Sequence, residues 1–241
     1  MSNVYDVRPT EVAYPLLTRG SDYMRVDLLS QDTAVGLADE VLRLVVASYS
    51  EQFENRTKQL PQGTFAETYD TDAKREKFRD QVIPGVYERG GSYLAVRQPD
   101  SHQRLAGVLK VLPGAAIEDR FADMAAIAEV LTDPQSQGQR IGSAMIHTHL
   151  MLQEPDVRGV VLDAFIGNPV NEWYERMGLE YETHTEPLTF VNGQELASRY
   201  MVTAPGKKAL HVAHYLMTQV PSLQYPVARF KHKQSGANEA Q

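Results

Sequence analysis

Apolar residues recur along this chain with two periods, every second position in short runs and every third or fourth in longer ones, which predicts a mixed α/β domain. Tyr23 to Leu29 alternates as a strand, and Asp32 then caps an amphipathic helix with Val35, Ala38, Val41, Leu42, Val45 and Tyr49 on one face. Residues 53 to 72 are polar and broken by Pro61 and Gly63, and Thr71 to Val82 has a charged helical pattern. Ser92 to Arg97 and Leu105 to Leu112 alternate as strands around a turn at 98 to 104, and Ala126 to Thr132 supplies the next strand. Helix 139 to 152, strand 159 to 165, helix 170 to 177 and strand 179 to 183 follow. Leu188 to Val191, the turn Asn192-Gly193 and Ser198 to Thr203 finish the sheet, which has a helix crossing between its fourth and fifth strands. Beyond Pro205 and Gly206, residues 207 to 220 repeat at helical spacing, with Leu210, Ala213, Leu216 and Val220 on one face.

One strand-to-helix junction carries candidate chemistry. Val130 to Ala144 reads VLTDPQSQGQRIGSA: Thr132-Asp133-Pro134 closes a strand, Gln135 to Gly138 is turn-forming, and Ile141, Ala144, Met145, Thr148 and Leu152 then recur at helical spacing. A helix start leaves its first amides unpaired and carries partial positive charge, so a phosphate placed there completes both. Gly138 and Gly142 allow close approach. Neither GxGxxG nor GxxxxGK[ST] is present, so the phosphate belongs to neither common nucleotide loop.

Here the chain resembles the general-control-related N-acetyltransferase (GNAT) superfamily, whose acetyl-CoA motif is (Gln/Arg)-x-x-Gly-x-(Gly/Ala) after a strand. Gln137-Gly138-Gln139-Arg140-Ile141-Gly142 matches at both ends, with Arg140 where the family prefers glycine. A residue entering a helix with negative φ accommodates that departure. A second segment is similar too: Val160 to Phe165 is an apolar run, followed by Asn168-Pro169 and by Asn171-Glu172-Trp173-Tyr174-Glu175-Arg176-Met177-Gly178-Leu179. The family's second motif is a splayed strand, an asparagine, and a short helix ending in Tyr-Glu-(Lys/Arg)-(Leu/Met)-Gly-Phe. Either Asn168 or Asn171 takes the asparagine's place.

The resemblance implies a mixed, centrally splayed β-sheet flanked by helices, and acetyl-CoA as co-substrate without a metal. By the same resemblance the backbone of Val130, Leu131 and Thr132 pairs with the pantetheine arm, and Gln137, Gly138, Gln139, Arg140, Ile141, Gly142 and Ser143 hold the pyrophosphate. Residues 53 to 88 would overlie the acceptor. The implied division is an N-terminal arm (1–21), the acetyltransferase domain (22–203), a helical extension (204–230) and a disordered tail (231–241). The apolar face of helix 207–220 is covered by its own domain or by a second copy in a homodimer.

Composition narrows the class. A chain of 241 residues with 42% hydrophobic content can bury a full core. No apolar run reaches the roughly 18 to 20 residues of a membrane span and no basic-then-apolar leader opens the chain, so we expect a cytoplasmic protein without a membrane partner. The absence of cysteine excludes disulfides, thiol catalysis and thiolate-bound metal. A net charge of −7 argues against a nucleic-acid surface, which needs a basic footprint.

Acyl transfer to an amine fixes two further requirements. An aliphatic ammonium is almost fully protonated at neutral pH, so freeing its lone pair costs about 4 to 5 kcal/mol. Glu129, beside the cofactor strand, is the nominated base, with Glu172, Glu175 or a water chain as rivals. Tyr174 is the residue the motif assigns to protonating the departing thiolate, a task a phenol can perform. Trp173 reads as core or as a wall of the cofactor cleft. His147 and His149 face different sides of their helix, and the pairs 147/149 and 211/214 both read as surface histidines, not metal ligands. The leading expectation is acetyl transfer to a primary amine of a small molecule. A protein lysine or N-terminus, and a non-catalytic acyl-CoA-binding module, are the alternatives.

Overall fold

A computed structural model describes residues 14–17, 23–98, 104–153 and 157–219. Strands β1 (Tyr14–Leu17) and β2 (Tyr23–Leu29) precede five helices: α1 (Gln31–Gly36), α2 (Ala38–Tyr49), α3 (Thr64–Tyr69), α4 (Asp72–Lys77) and α5 (Ile83–Glu88). Strands β3 (Ser92–Arg97), β4 (Leu105–Pro113) and β5 (Met124–Thr132) follow, then α6 (Ile141–Met151), β6 (Gly159–Phe165) and α7 (Asn171–Arg176). The last elements are β7 (Leu179–His184), the hairpin β8 (Leu188–Thr189) and β9 (Glu195–Leu196), β10 (Ser198–Thr203) and α8 (Ala209–Gln219). Eight strands form one sheet in the order β1-β2-β3-β4-β5-β6-β10-β7. Its neighbours are antiparallel except β5 and β6, the pair that α6 connects.

Alternating side chains give the sheet two apolar faces. Tyr93 and Ala95 of β3 and Leu105, Val108 and Leu112 of β4 pack against α1, α2 and α5. Leu94, Val96, Ala106, Leu109 and Val111 point the other way, into the core of α6, α7 and α8. Gly107 lets α6 lie close to the sheet, because a Cβ there would stand 2.6 Å from Ile141 Cγ2.

Several sequence expectations are corrected at this level. Tyr14–Leu17, inside the segment read as an arm, pairs antiparallel with β2 as an edge strand of the sheet. Ser30 caps the first helix, accepting a bond from the Thr33 amide, and the helix breaks at Leu37 where a continuous one was expected. The Thr71–Val82 pattern begins where expected, with Thr71 as cap, but runs on through a π-helical stretch, Phe78–Val82, into α5. Residues 53 to 72, read as polar, contain α3 and the fully buried Phe53 and Phe65. Ala209, Val212, Ala213 and Leu216 of α8 are buried in the α6 core, so this helix packs on its own domain, whereas Leu210, expected on the apolar face, is exposed and Val220 lies outside the described residues. The expected tail, 231–241, lies outside the described residues.

Candidate active site

The central cleft follows from where strand pairing stops. β5 and β6 pair in parallel only from Met124↔Gly159 to Ile127↔Leu162, and beyond that the strands diverge. The edge of β5 from Ala128 to Thr132 therefore keeps its pairing to β4 but, among the described residues, has no strand partner towards β6. A β-bulge lies at the point of divergence. Lys110 opposes Glu129 while Val111 opposes Ile127, so Ala128 is an extra residue on β5. In a regular strand Glu129 would face away from Ala128. The bulge turns both towards α2, where Ala128 joins the α2-side core and Glu129 Oε1 accepts a hydrogen bond from Tyr49 at 3.2 Å. Lys110 Nζ stands 3.2 Å from Glu129 Oε2 in the same cross-strand position.

The cleft has a volume of about 350 Å³, and its floor is Ala128, Glu129, Val130 and Thr132 on one side and Leu162 to Phe165 on the other. Tyr174, Trp173, Val170 and Asn168 form one wall, and Tyr49, Ser48, Gln52 and Arg56 form another. Tyr174 is buried, and burial raises its phenol above the ordinary tyrosine range, so it stays protonated at neutral pH. Tyr49 is pushed up as well, first by burial and then by the negative charge of Glu129. Asn168 reaches the cleft, with its side-chain oxygen accepting the Val170 amide at 3.1 Å. Asn171 does not; it is buried and donates to the Phe165 carbonyl at 2.9 Å, anchoring the end of β6.

The cleft adjoins a second hollow of about 330 Å³ at the strand-to-helix turn, with Thr132, Gln137, Gly142 and Trp173 lining both. Ser136, Gly138, Arg140, Ile141 and Ser143 complete that hollow. The first α6 amide bonded back along the chain is Ala144, to Arg140 O at 3.0 Å, which leaves the amides of Ile141, Gly142 and Ser143 without helical partners beside the hollow. Gly142 is closely packed, since a Cβ there would lie 3.4 Å from Val130 Cγ1 and 3.9 Å from Trp173 Cη2. Arg140 overturns one expectation. It enters the helix with φ +62°, a left-handed conformation, and not with negative φ. The position thus asks for the glycine the motif prefers, and Arg140 fills it at a cost of about 1 to 2 kcal/mol. Leu131 is buried in the α2-side core and Gln139 is exposed outside both hollows, so neither side chain reaches the site.

Sequence reasoning missed one wall of the cleft. α2 continues into a π-helical segment, Ser50–Arg56, that carries Gln52 and Arg56 into the cleft. Behind that wall an aromatic cluster joins distant segments: Phe53 lies edge-on to Phe165 at 5.3 Å and Phe65 edge-on to Phe190 at 5.0 Å. Leu196 of the β8–β9 hairpin is buried with them. The buried Glu54 carboxylate holds the connecting turn by accepting the Gly63 and Phe65 amides at 2.9 and 2.8 Å. At the other end of β5, buried Asp133 accepts from Arg43 at 3.0 Å and from the Gln135 amide at 3.0 Å, tying the turn to α2. Tyr49 could have been flagged only by knowing that it meets a carboxylate 80 residues away.

The histidine expectation divides. His211 and His214 are exposed, but His147 and His149 are 1% and 5% exposed, and burial lowers each to a pKa of about 4. Among the described residues no three His, Asp or Glu side chains converge as a metal site, and no helix is long and apolar enough to cross a membrane. A larger hollow, about 1210 Å³, lies on the outer side of α2, lined by Arg43, Arg75, Asp39 and Glu40 among others. Its charges are engaged with one another: Arg43 with Glu40, Arg75 with Asp70, and Asp39 with Arg79. The smaller cleft, which has the open edge of β5 and adjoins the glycine-bearing start of α6, is the candidate site.

No protein-family model matches the chain, and no curated protein sequence does. Solved structures do match. One, solved as a "putative acetyltransferase", shares 13% identity over 86% of this chain and 98% of its own, with a TM-score of 0.51. An acetyltransferase from Thermus thermophilus shares 18% identity over 78% of this chain and 97% of its own, TM-score 0.48. Spermidine N-acetyltransferase from Vibrio cholerae, in complex with CoA and spermine, shares 16% over 78% and 98%, TM-score 0.49. The mixed, centrally splayed sheet flanked by helices is the GNAT fold.

Proposed function

We propose that the protein is an N-acetyltransferase that moves the acetyl group of acetyl-CoA directly to a primary amine of a small molecule. The observation that carries this reading is the unpaired edge of β5, which runs from a Tyr49–Glu129 pair, past Tyr174, to the glycine-bearing start of α6. Fold alone does not decide chemistry, so the reading rests on these groups. In it, the amides at the start of α6 hold the pyrophosphate, and the pantetheine arm lies along Val130 to Thr132 as an added strand. The thioester then lies between Tyr174 and Glu129.

The ammonium of the acceptor gives its proton to Glu129, directly or through Tyr49. The freed nitrogen lone pair attacks the thioester carbonyl carbon, a C–N bond forms, and the C–S bond breaks on collapse of the tetrahedral intermediate. Tyr174 gives its proton to the departing sulfur and is restored by the second proton that the attacking nitrogen loses as the amide forms; Glu129 releases its proton to solvent, so the products are the amide, CoA and one proton. Phe53, Phe65 and Phe190 pack behind Tyr49 and Phe165, which line the cleft, and a cleft of about 350 Å³ backed in this way supports a small acceptor over an open protein groove.

The test is Tyr174→Phe, which removes one hydroxyl and keeps the packed ring. With chemistry rate-limiting, turnover should fall by roughly 10²- to 10⁴-fold while acetyl-CoA affinity stays within a few-fold. Near-normal turnover would remove the acid from the mechanism. Glu129→Gln should lose activity that rising pH partly restores, because a free amine no longer needs a base.

A further inference from the structure

Three polar residues of the acceptor-side wall, Ser48, Gln52 and Arg56, recur four apart, and all line the cleft. The π-helical winding of Ser50–Arg56 keeps Gln52 and Arg56 on one side. The Gln52 side-chain nitrogen is out of contact with solvent and has no hydrogen-bond partner. A buried donor left unmade is costly, and such groups call for a ligand or a functional explanation. Arg56 bonds to Glu51 through Nε at 3.1 Å, an arrangement that orients the guanidinium while its two terminal nitrogens bond to no protein group among the described residues. Both groups only donate, so both ask for an acceptor oxygen on whatever occupies the cleft. On the floor of the same cleft stand two carboxylates, Glu129, which also faces Lys110, and Asp163, and together they suit an ammonium.

We infer that the acceptor amine also carries a carboxylate, an amino-acid-type substrate whose ammonium meets Glu129 and whose carboxylate meets the Gln52 amide and the Arg56 fork. This rests on the acetyltransferase reading and adds the substrate class to it. A planar guanidinium matches the two oxygens of a carboxylate, and it repels a polyamine. The chemistry separates the two substrate classes by the sign of one charge.

The experiment measures CoA release from acetyl-CoA with a set of amino acids, each paired with the amine left by its decarboxylation. The best amino acid should exceed its decarboxylated partner by about tenfold or more in kcat/KM, since a site built for a hydrogen-bonding group discriminates strongly against its absence. Arg56→Ala should raise the KM for that amino acid by about tenfold and erase the preference, with calorimetric acetyl-CoA affinity within about twofold of the parent. Gln52→Leu, close in shape, should raise the same KM and leave acetyl-CoA binding alone. Decarboxylated amines acetylated as well as or better than the amino acids would overturn the inference and leave the acetyltransferase reading standing. Loss of acetyl-CoA affinity in Arg56→Ala would also overturn it, by moving Arg56 to the cofactor. No CoA release with any amine, from protein that binds acetyl-CoA, would end the acetyltransferase reading and this inference with it.

Discussion

Lowering the pH from 7 to 5 should weaken the fold through His147 and His149. Each is buried on α6 and has its pKa lowered by burial from 6.5 to about 4. Between those two values the unfolded chain binds a proton at each site and the folded chain does not, so stability falls as pH falls. Well above 6.5 both states are neutral there and the histidines contribute no pH dependence. At pH 5 the unfolded form of each is almost fully charged and the folded form about one-tenth charged, which amounts to about 2 kcal/mol per histidine and about 4 for the pair. That is a large share of the roughly 5 to 15 kcal/mol that holds a typical domain. Urea unfolding followed by far-ultraviolet circular dichroism at pH 7 and pH 5 measures it. The control is the double variant His147→Gln, His149→Gln, less stable at pH 7 but flatter across the interval, because the remaining described histidines are not buried. Equal pH slopes in parent and variant would refute the reasoning.

Three further outcomes are expected. Gly142→Glu should abolish calorimetric acetyl-CoA binding by placing bulk and negative charge beside Val130 and Trp173, and a folded variant of unchanged affinity would put the phosphate elsewhere. Arg140→Gly should raise the urea midpoint, relieving about 1 to 2 kcal/mol of left-handed strain against about 0.4 to 1 kcal/mol of added freedom in the unfolded chain; a lowered midpoint would contradict it. Leu216→Ala should cost about 2 to 5 kcal/mol at the fully buried α8–α6 contact, whereas a change near zero would mean that α8 is not part of the core.

Strands were legible from sequence. Tyr23–Leu29, Ser92–Arg97, Gly159–Phe165 and Ser198–Thr203 stand where the apolar pattern put them, by alternation in Ser92–Arg97 and by an apolar run in Gly159–Phe165, a strand covered on both faces. The hydrophobic pattern reports facing but not winding. It therefore passed over the break at Leu37 and the π-helical stretches, where the apolar stripe continues through altered turns. The Ala128 bulge was silent because alanine fits either face, yet it decides where Glu129 points. His147 and His149 read as surface because opposite sides of a helix are seldom both buried. Here α6 lies between the sheet and α8, so both sides are covered. The strand-to-helix turn before α6 was legible as a local motif, and Asn168 and Asn171 were separated only by seeing which one the Phe165 carbonyl holds.

The strand order also sets a schedule. β7 touches the sheet only through β10, although 179–184 is synthesised before 198–203. As the chain leaves the ribosome, strands β1 to β6 can assemble with α6 while β7 waits without a neighbour for the strand that will seat it. α7, which leads directly into β7 and carries Tyr174, depends on the same late arrival for the end of its support. The turn at the start of α6 can thus exist on a nascent chain before the Tyr174 side of the cleft is in place, and insertion of β10 between β6 and β7 is the event that completes the pocket.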